Sequence, residues 1–269
     1  MCTGLRNWRF QCLGLVVVGL LLASAALAAE GRKRFITKSK YDPQAQTVEM
    51  FAAIEKGDIA VKLIPKDSTQ CRVLIENKTD KPLNVKLPKA FAGVPVLAQL
   101  GGMDGGRGTR GTRGTGGNQG NQGMGGGMGG MGGMGGGMGM FSVPPEKIGQ
   151  LKLPTVCLEY GKQEPRAAVP YEIKPLESFT TKPGVRELCE MLGSGQLDQR
   201  ASQAAAWHLN NDMSWRELAA KRLRHANGMS QPYFSRNEIQ IGMQLASAAV
   251  KTAKRRQQET GDGEYSSQK

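Results

Sequence analysis

Apolar and polar residues alternate along several short stretches between residues 59 and 174, which is the pattern of strands with one buried face. Four stretches precede a glycine-rich tract and three follow it, and they begin in turn at Ile59, Cys71, Leu83, Val94, Leu151, Val156 and Tyr171. Four strands alone form a sheet with little to pack on, whereas seven match two packed sheets. The pattern therefore predicts an immunoglobulin-like β-sandwich, with a small barrel as the alternative.

The glycine-rich tract spans residues 101–140, and 22 of its 40 residues are glycine. It opens on an Arg-Gly-Thr repeat at Arg107, Arg110 and Arg113, and it closes on methionines separated by glycines. Glycine loses the most backbone entropy on ordering and has no side chain to bury. We therefore expect a long disordered insertion between two strands of one domain.

Helical patterns lie on both sides of the sheet. Apolar residues at helical spacing predict a short helix over 43–56, ended by Gly57. Beyond residue 184 the pattern is helical throughout, with capping boxes at Ser214 with Glu217 and Ser235 with Glu238. The chain is thus an α+β protein of several parts, namely a signal peptide at 1–28, a basic disordered segment at 29–42, the short helix and sandwich at 43–183, a four-helix domain at 184–256 and a disordered tail at 257–269.

The first 28 residues have the pattern of an export signal. Arg6 and Arg9 precede an apolar run over 13–22, and a small-residue cleavage site ends at Ala28. The run is shorter than the roughly 20 residues that span a bilayer. We predict cleavage after Ala28, a periplasmic or secreted protein and no stable membrane span afterwards; the alternative is a retained anchor.

The chain is strongly basic, with a formal charge of +13, or 13 − 2 = +11 once Arg6 and Arg9 are removed with the signal. Such a charge favours acidic partners. No stacking aromatics are interleaved with the Arg-Gly-Thr repeat and the chain is predicted to be exported, so nucleic acid is not expected. The expected partner is an unknown protein or an anionic polymer of the envelope or matrix.

Three cysteines remain after the predicted cleavage, namely Cys71, Cys157 and Cys189. An oxidising compartment allows one disulfide and leaves one thiol. All three pairings are open, and so is the alternative that every cysteine is a buried free thiol.

Two short motifs combine a cysteine with a glutamine. The first is Val-Cys-Leu-Glu-Tyr-Gly-Lys at 156–162, and the second is Ser-Gln-Ala-Ala-Ala-Trp at 202–207. They resemble the two halves of the bacterial thioester domains of surface adhesins, and the chain as a whole is similar to exported bacterial proteins. The resemblance implies that the Cys157 sulfur displaces ammonia from Gln203 and that the acyl thioester is later attacked by a nucleophile. It also implies that Trp207, one helical turn after Gln203, shields the bond.

Methionine thioethers are soft ligands that suit Cu(I), so the tract is a second candidate site. Its methionines are Met124, Met128, Met131, Met134, Met138 and Met140. No hydrolase, zinc or phosphate-binding motif occurs, and neither catalytic residues nor a cofactor are predicted. The sequence thus predicts an exported, non-enzymatic interaction or envelope-associated protein, with covalent adhesion through Cys157 and Gln203 or copper binding as alternatives.

Overall fold

The computed structural model describes residues 35–39, 41–96, 120–129, 139–225 and 227–266. The predicted signal peptide therefore lies outside the described residues. The strands within them are β1 (Phe35–Ile36), β2 (Gln46–Glu49), β3 (Ile59–Pro65), β4 (Gln70–Asn77), β5 (Leu83–Lys86), β6 (Ala90–Pro95), β7 (Met124–Gly127), β8 (Met140–Val143), β9 (Ile148–Cys157), β10 (Tyr171–Pro175), β11 (Arg222–Arg224) and β12 (Ser230–Pro232). The α-helices are α1 (Met50–Lys56), α2 (Val185–Leu192), α3 (Gln199–Asn211), α4 (Trp215–Ala220) and α5 (Arg236–Ser266), and a 3-10 turn covers Leu176–Ser178.

The main sheet is a closed barrel, so the prediction of an immunoglobulin-like sandwich is wrong. Six strands follow one another in the order β9-β4-β3-β10-β6-β7, and β7 pairs back onto β9. Every pairing in this ring is antiparallel. The short β1 adds to β9 in parallel, and β2, β5 and β8 form a separate three-stranded sheet. Closure removes the open edges that a sandwich of the same strands would leave.

The closing strand β7 comes from inside the glycine-rich tract, which contradicts the expectation that the whole tract is disordered. Gly125, Gly126 and Gly127 pair with β6 on one side, and β7 pairs with β9 on the other. A Cβ atom on Gly127 would overlap the carbonyl oxygen of Cys189 and lie 2.9 Å from the Cα atom of Gly193. The glycines are therefore required by close packing of β7 against α2, and they leave no alternating pattern that predicts a strand.

The barrel interior is filled by the alternating residues of its strands. Residues of β3, β4 and β9 contribute Leu63, Cys71, Val73, Ile75, Leu151 and Leu153 to one buried cluster. Met124, the first residue of β7, and Met128, the residue that follows its end, are fully buried in the same cluster. The runs predicted to begin at Leu151 and Val156 are one continuous strand, β9, which passes through Pro154.

The helices pack on the barrel through a second apolar cluster formed by α2, α3 and α5. The Ser214 capping box is confirmed at the start of α4, and Ser235 with Glu238 caps α5 in the same way. The helix predicted over 43–56 is shorter, because Val48 lies in strand β2 and only 50–56 are helical. Among the described residues, no helix combines the length and apolar character that crossing a membrane requires.

Candidate functional site

The candidate site lies at the end of β9, where this strand extends beyond its pairing with β4. The ladder between the two strands ends at Gln70 opposite Pro154, whereas β9 continues to Cys157. The Leu158 N–H donates to the Gly123 carbonyl oxygen at 2.9 Å, on the β7 side. Neighbouring residues of a strand direct their backbone groups to opposite edges. The N–H and the carbonyl oxygen of Cys157 therefore point to the other edge of β9, at a level where β4 no longer pairs with it. Cys157 is 1% exposed, so these groups need a partner other than water.

Gln203 supplies that partner from helix α3. The Cys157 N–H donates to Gln203 Oε1 at 2.8 Å, and Gln203 Nε2 donates to the Cys157 carbonyl oxygen at 2.9 Å. The primary amide thus presents one acceptor and one donor to the strand edge, as a neighbouring backbone would. Gln203 is 4% exposed, so both bonds are shielded from water.

Other amide side chains of α3 bond the backbone of the end of β9 and of the residues that follow it. Gln199 Nε2 donates to the Thr155 carbonyl oxygen at 2.9 Å, one turn before Gln203. Asn210 Nδ2 donates to the Leu158 carbonyl oxygen at 2.5 Å, and Asn211 Oδ1 accepts from the Tyr160 N–H at 3.2 Å. Side chains of α3 therefore supply hydrogen-bond partners from Thr155 to Tyr160, and Gln203 alone among them bonds both backbone groups of one residue.

The helix is positioned by its own sequence. Asp198 caps its first turn by accepting from the Ala201 N–H at 2.7 Å. Residues 201–206 are buried, and four of the six are alanine, so the helix axis approaches the sheet closely. At this short separation the side chain of a glutamine spans the gap to β9. Gly242 of α5 allows a similar approach on the other side, since its Cβ would lie 3.0 Å from the Ala201 carbonyl oxygen.

Trp207 lies in an aromatic cluster formed with Tyr160, Tyr233 and Phe234. Its ring centroid is 5.1 Å from that of Tyr160, 5.6 Å from Tyr233 and 5.9 Å from Phe234. Trp207 belongs to the same buried cluster as Cys157, and it is 5% exposed. Its Nε1 donor has no hydrogen-bond partner among the described residues. Trp207 thus packs in the same apolar cluster as Cys157.

Lys221 caps the aromatic cluster with its ammonium group. The Nζ atom lies 4.5 Å from the ring centroid of Tyr160, 4.9 Å from Tyr233 and 5.3 Å from Trp207. It also lies 3.3 Å from the Tyr160 hydroxyl, and it forms no salt bridge with any residue that the structure describes. The ammonium is attracted to the negative faces of the rings, so it holds three elements of the chain together.

Removing this charge tests the contribution of the ring contacts. We expect Lys221→Met, which keeps the aliphatic stem, to lower the free energy of unfolding by about 1 kcal/mol. Lys221→Arg retains a cation over the rings and serves as the matched control, with a smaller loss. Urea unfolding measures both variants; a Lys221→Met protein as stable as the original would show that the cation contributes nothing to the cluster.

The three cysteines are free thiols, and each is buried in a different apolar cluster. No disulfide joins them in the described chain. Burial raises the pKa of Cys71 to about 12 and, with the nearby charges of Glu190 and Glu187, the pKa of Cys189 also to about 12. The pKa of Cys157 is raised too, by burial first and then by the charges of Glu164 and Asp67. All three are therefore neutral thiols at neutral pH.

These raised pKa values predict a loss of stability in alkali. The unfolded thiols ionise near pH 9, whereas Cys71 and Cys189 stay neutral in the fold until about pH 12. Their contribution is thus fully present below pH 9 and falls by about 1.4 kcal/mol per pH unit for each thiol as pH rises towards 12. Urea unfolding between pH 8 and 11 measures this slope. Cys189→Ala should have a shallower slope than the original chain, and identical slopes would contradict the assignment.

The methionines proposed as copper ligands do not form one group. Met124 and Met128 are core residues of the barrel with no exposed surface. Met140 begins β8 and is half-buried. Met131, Met134 and Met138 lie outside the described residues. The two buried thioethers therefore pack the barrel, and a metal could reach them only after β7 had separated from its neighbours.

Several residues of the site carry no signal of their own in the sequence. Tyr233, Phe234 and Lys221 are scattered over the segment after α4, and nothing in their spacing places them beside Trp207. Gln199 is different, because it lies four residues before Gln203 on the same helical face. That spacing could have indicated two amides directed at one strand.

Comparisons of the chain with protein-family models, with curated proteins and with solved structures find no match.

Proposed function

We propose that this chain is an exported binding protein, not an enzyme, in which Cys157 and Gln203 form an internal thioester that captures a partner covalently. The observation that carries the proposal is the pair of hydrogen bonds between the Gln203 amide and the backbone of Cys157, at 2.8 and 2.9 Å. These bonds hold the amide carbon of Gln203 against the residue that carries the thiol. Export is argued from the N-terminal sequence pattern alone.

One of these hydrogen bonds also supplies a donor that acyl transfer requires. As sulfur adds to the amide carbon, negative charge develops on Gln203 Oε1, and this oxygen already accepts the Cys157 N–H. The C–S bond forms, the C–N bond breaks and Nε2 leaves as ammonia with the proton from the thiol. Because burial raises the Cys157 pKa, the thiol still holds that proton at neutral pH. Atoms and charge balance without an added acid or base.

The burial of the pair protects the product. Cys157 and Gln203 are 1% and 4% exposed, and Trp207 adds an apolar cover. Water would otherwise hydrolyse the acyl group. A partner nucleophile that reaches the Gln203 carbon breaks the C–S bond, forms a bond to the acyl carbon and returns a proton to the Cys157 thiol.

The intact mass of the exported protein tests the proposal. We expect a mass lower than that of the processed chain by one ammonia, and two alkylated cysteines, Cys71 and Cys189, after denaturation without reductant. Incubation with methylamine should add the mass of the amine and make Cys157 the third alkylated cysteine. Cys157→Ala should have its full mass, whereas Cys189→Ala, the matched control, should keep the ammonia deficit.

A full mass with three alkylated cysteines contradicts the thioester. In that case the Gln203 amide is a structural bridge between α3 and β9, and the chain is a non-covalent interaction protein. A loss of two hydrogens with one alkylated cysteine would instead show a disulfide and would also contradict the thioester.

A further inference from the structure

A groove on the helical part has the dimensions and lining of a ligand site. It has a volume of about 460 Å³ and lies between α3, α4 and α5. Neither Cys157 nor Gln203 is among the residues that line it. This volume falls within the range of roughly 300–1,000 Å³ that is usual for small-molecule pockets. One wall is the imidazole of His208, stacked on Trp215 with 4.2 Å between ring centroids.

The other wall is one face of α5, and its character changes along its length. Met243, Ala246, Ser247, Val250, Lys251 and Lys254 recur at helical spacing and line the groove. From Met243 to Lys254 the face extends about 16 Å at 1.5 Å per residue. Its first two turns are mostly apolar, and Met243 is 46% exposed although it is a large apolar side chain. Its last turn carries two ammonium groups.

The positive charges of Lys251 and Lys254 have no acidic counterpart among the residues of the described chain that line the groove. None of the described residues that line the groove is acidic, and neither Lys251 nor Lys254 forms a salt bridge within the described chain. His208 donates its Nδ1 proton to the Met213 carbonyl oxygen at 2.8 Å, which fixes the ring against Trp215. The groove thus has a rigid apolar stretch that leads to two adjacent cations.

We propose that this groove binds a single-chain anionic amphiphile, with the alkyl chain along Met243, Ala246 and Val250 and the anionic head at Lys251 and Lys254. The gradient from apolar to cationic along one helical face matches such a molecule from end to end. An uncharged apolar partner would leave the two ammonium groups desolvated without a counter-charge, which is unfavourable. The site is independent of the thioester, so either proposal can fail without the other.

Calorimetric titration of the full chain with dodecanoate, below its micelle concentration, tests the site. We expect one dodecanoate per chain, weaker binding of dodecanol and no binding of dodecyltrimethylammonium. The charge reversal Lys251→Glu with Lys254→Glu should weaken binding by at least about tenfold. Lys86→Glu with Lys152→Glu makes the same change of charge on exposed strand residues, one in β5 and one in β9, and should leave binding within about twofold.

A second pair of variants separates occupation of the groove from general attraction of anions. Ser247→Trp places a large side chain in the groove from an exposed position and should abolish binding, whereas Ala248→Trp, on the next exposed position, should not. Equal effects of the two tryptophans, or of the two charge reversals, would overturn the proposal. So would binding to anionic vesicles or an acidic peptide without binding of monomeric dodecanoate.

Discussion

Replacing Gly127 by valine is expected to lower the free energy of unfolding by about 3 kcal/mol, a large cost for one small side chain. Strand propensity alone favours the valine, since β-branched residues suit strands better than glycine does. The tertiary packing decides otherwise, because a Cβ at this position overlaps the Cys189 carbonyl oxygen and approaches the Cα atom of Gly193. Both contacts are backbone, so the strain cannot be relieved by a change of rotamer.

The chain offers a matched control for this variant. The heptapeptide Gly-Met-Gly-Gly-Gly-Met-Gly occurs twice, at 123–129 and at 133–139, so Gly137 has the same neighbours in sequence as Gly127. Residue 137 lies outside the described residues. We expect Gly137→Val to have the stability of the original chain in urea unfolding followed by circular dichroism.

Combining Gly127→Val with Gly137→Val tests whether the second heptapeptide can substitute for the first. If Gly127→Val and Gly137→Val are each tolerated but their combination unfolds, the second heptapeptide can replace β7 in the barrel. If all three variants are as stable as the original chain, the steric requirement for glycine in β7 is wrong.

In a chain that carries Cys157→Ala, so that the Gln203 amide cannot react, Gln203→Ala is expected to lower the free energy of unfolding by roughly 2–6 kcal/mol, since it leaves two buried backbone groups without partners at about 1–3 kcal/mol each. Those groups are the N–H and the carbonyl oxygen of Cys157. Gln199→Ala is the control, because it removes an amide from the same helical face but only one hydrogen bond, to the Thr155 carbonyl oxygen. Its loss should be about 1 kcal/mol. Equal losses in urea unfolding would contradict the special role of Gln203.

Gln203→Glu refines this test through its pH dependence. The introduced carboxyl keeps an acceptor for the Cys157 N–H, but it can donate to the Cys157 carbonyl oxygen only when protonated. Burial raises the pKa of such a carboxyl in the fold, so its stabilising form is present at low pH and is lost as pH rises. The deficit of Gln203→Glu relative to the original chain should therefore be smaller at pH 4 than at pH 8. A deficit independent of pH would contradict the two-bond geometry.

Local patterns predicted much of the secondary structure. Alternation of apolar residues over 59–65, 70–77 and 171–175 corresponds to β3, β4 and β10, and both capping boxes are present at the helix starts predicted from them. Each of these signals depends on residues within a few positions of one another. A helix cap or a half-buried strand leaves its pattern in adjacent sequence, so no knowledge of the tertiary structure is needed to detect it.

The candidate site was only partly accessible in this way. The motifs at 156–162 and 202–207 indicated Cys157, Gln203 and Trp207 as candidate site residues. The fold brings these three residues into one buried region. Their resemblance to thioester domains supplied a chemistry but not the hydrogen bonds. Lys221 and Tyr233 could not be predicted as members of the aromatic cluster around Trp207. Helix α4 separates Lys221 from Trp207 in sequence, and α4 with strands β11 and β12 separates Tyr233 from it.

By itself, the sequence determined the strands with alternating residues, the helix caps and the two motifs that carry the candidate chemistry. Only the tertiary structure decided between sandwich and barrel, because the closing strand β7 consists of one buried methionine and three glycines and has no alternation of its own. It also decided that Gln203 completes the edge of β9. Both outcomes depend on contacts between segments distant in sequence, where the fit of backbone to backbone selects the residue and leaves no local period.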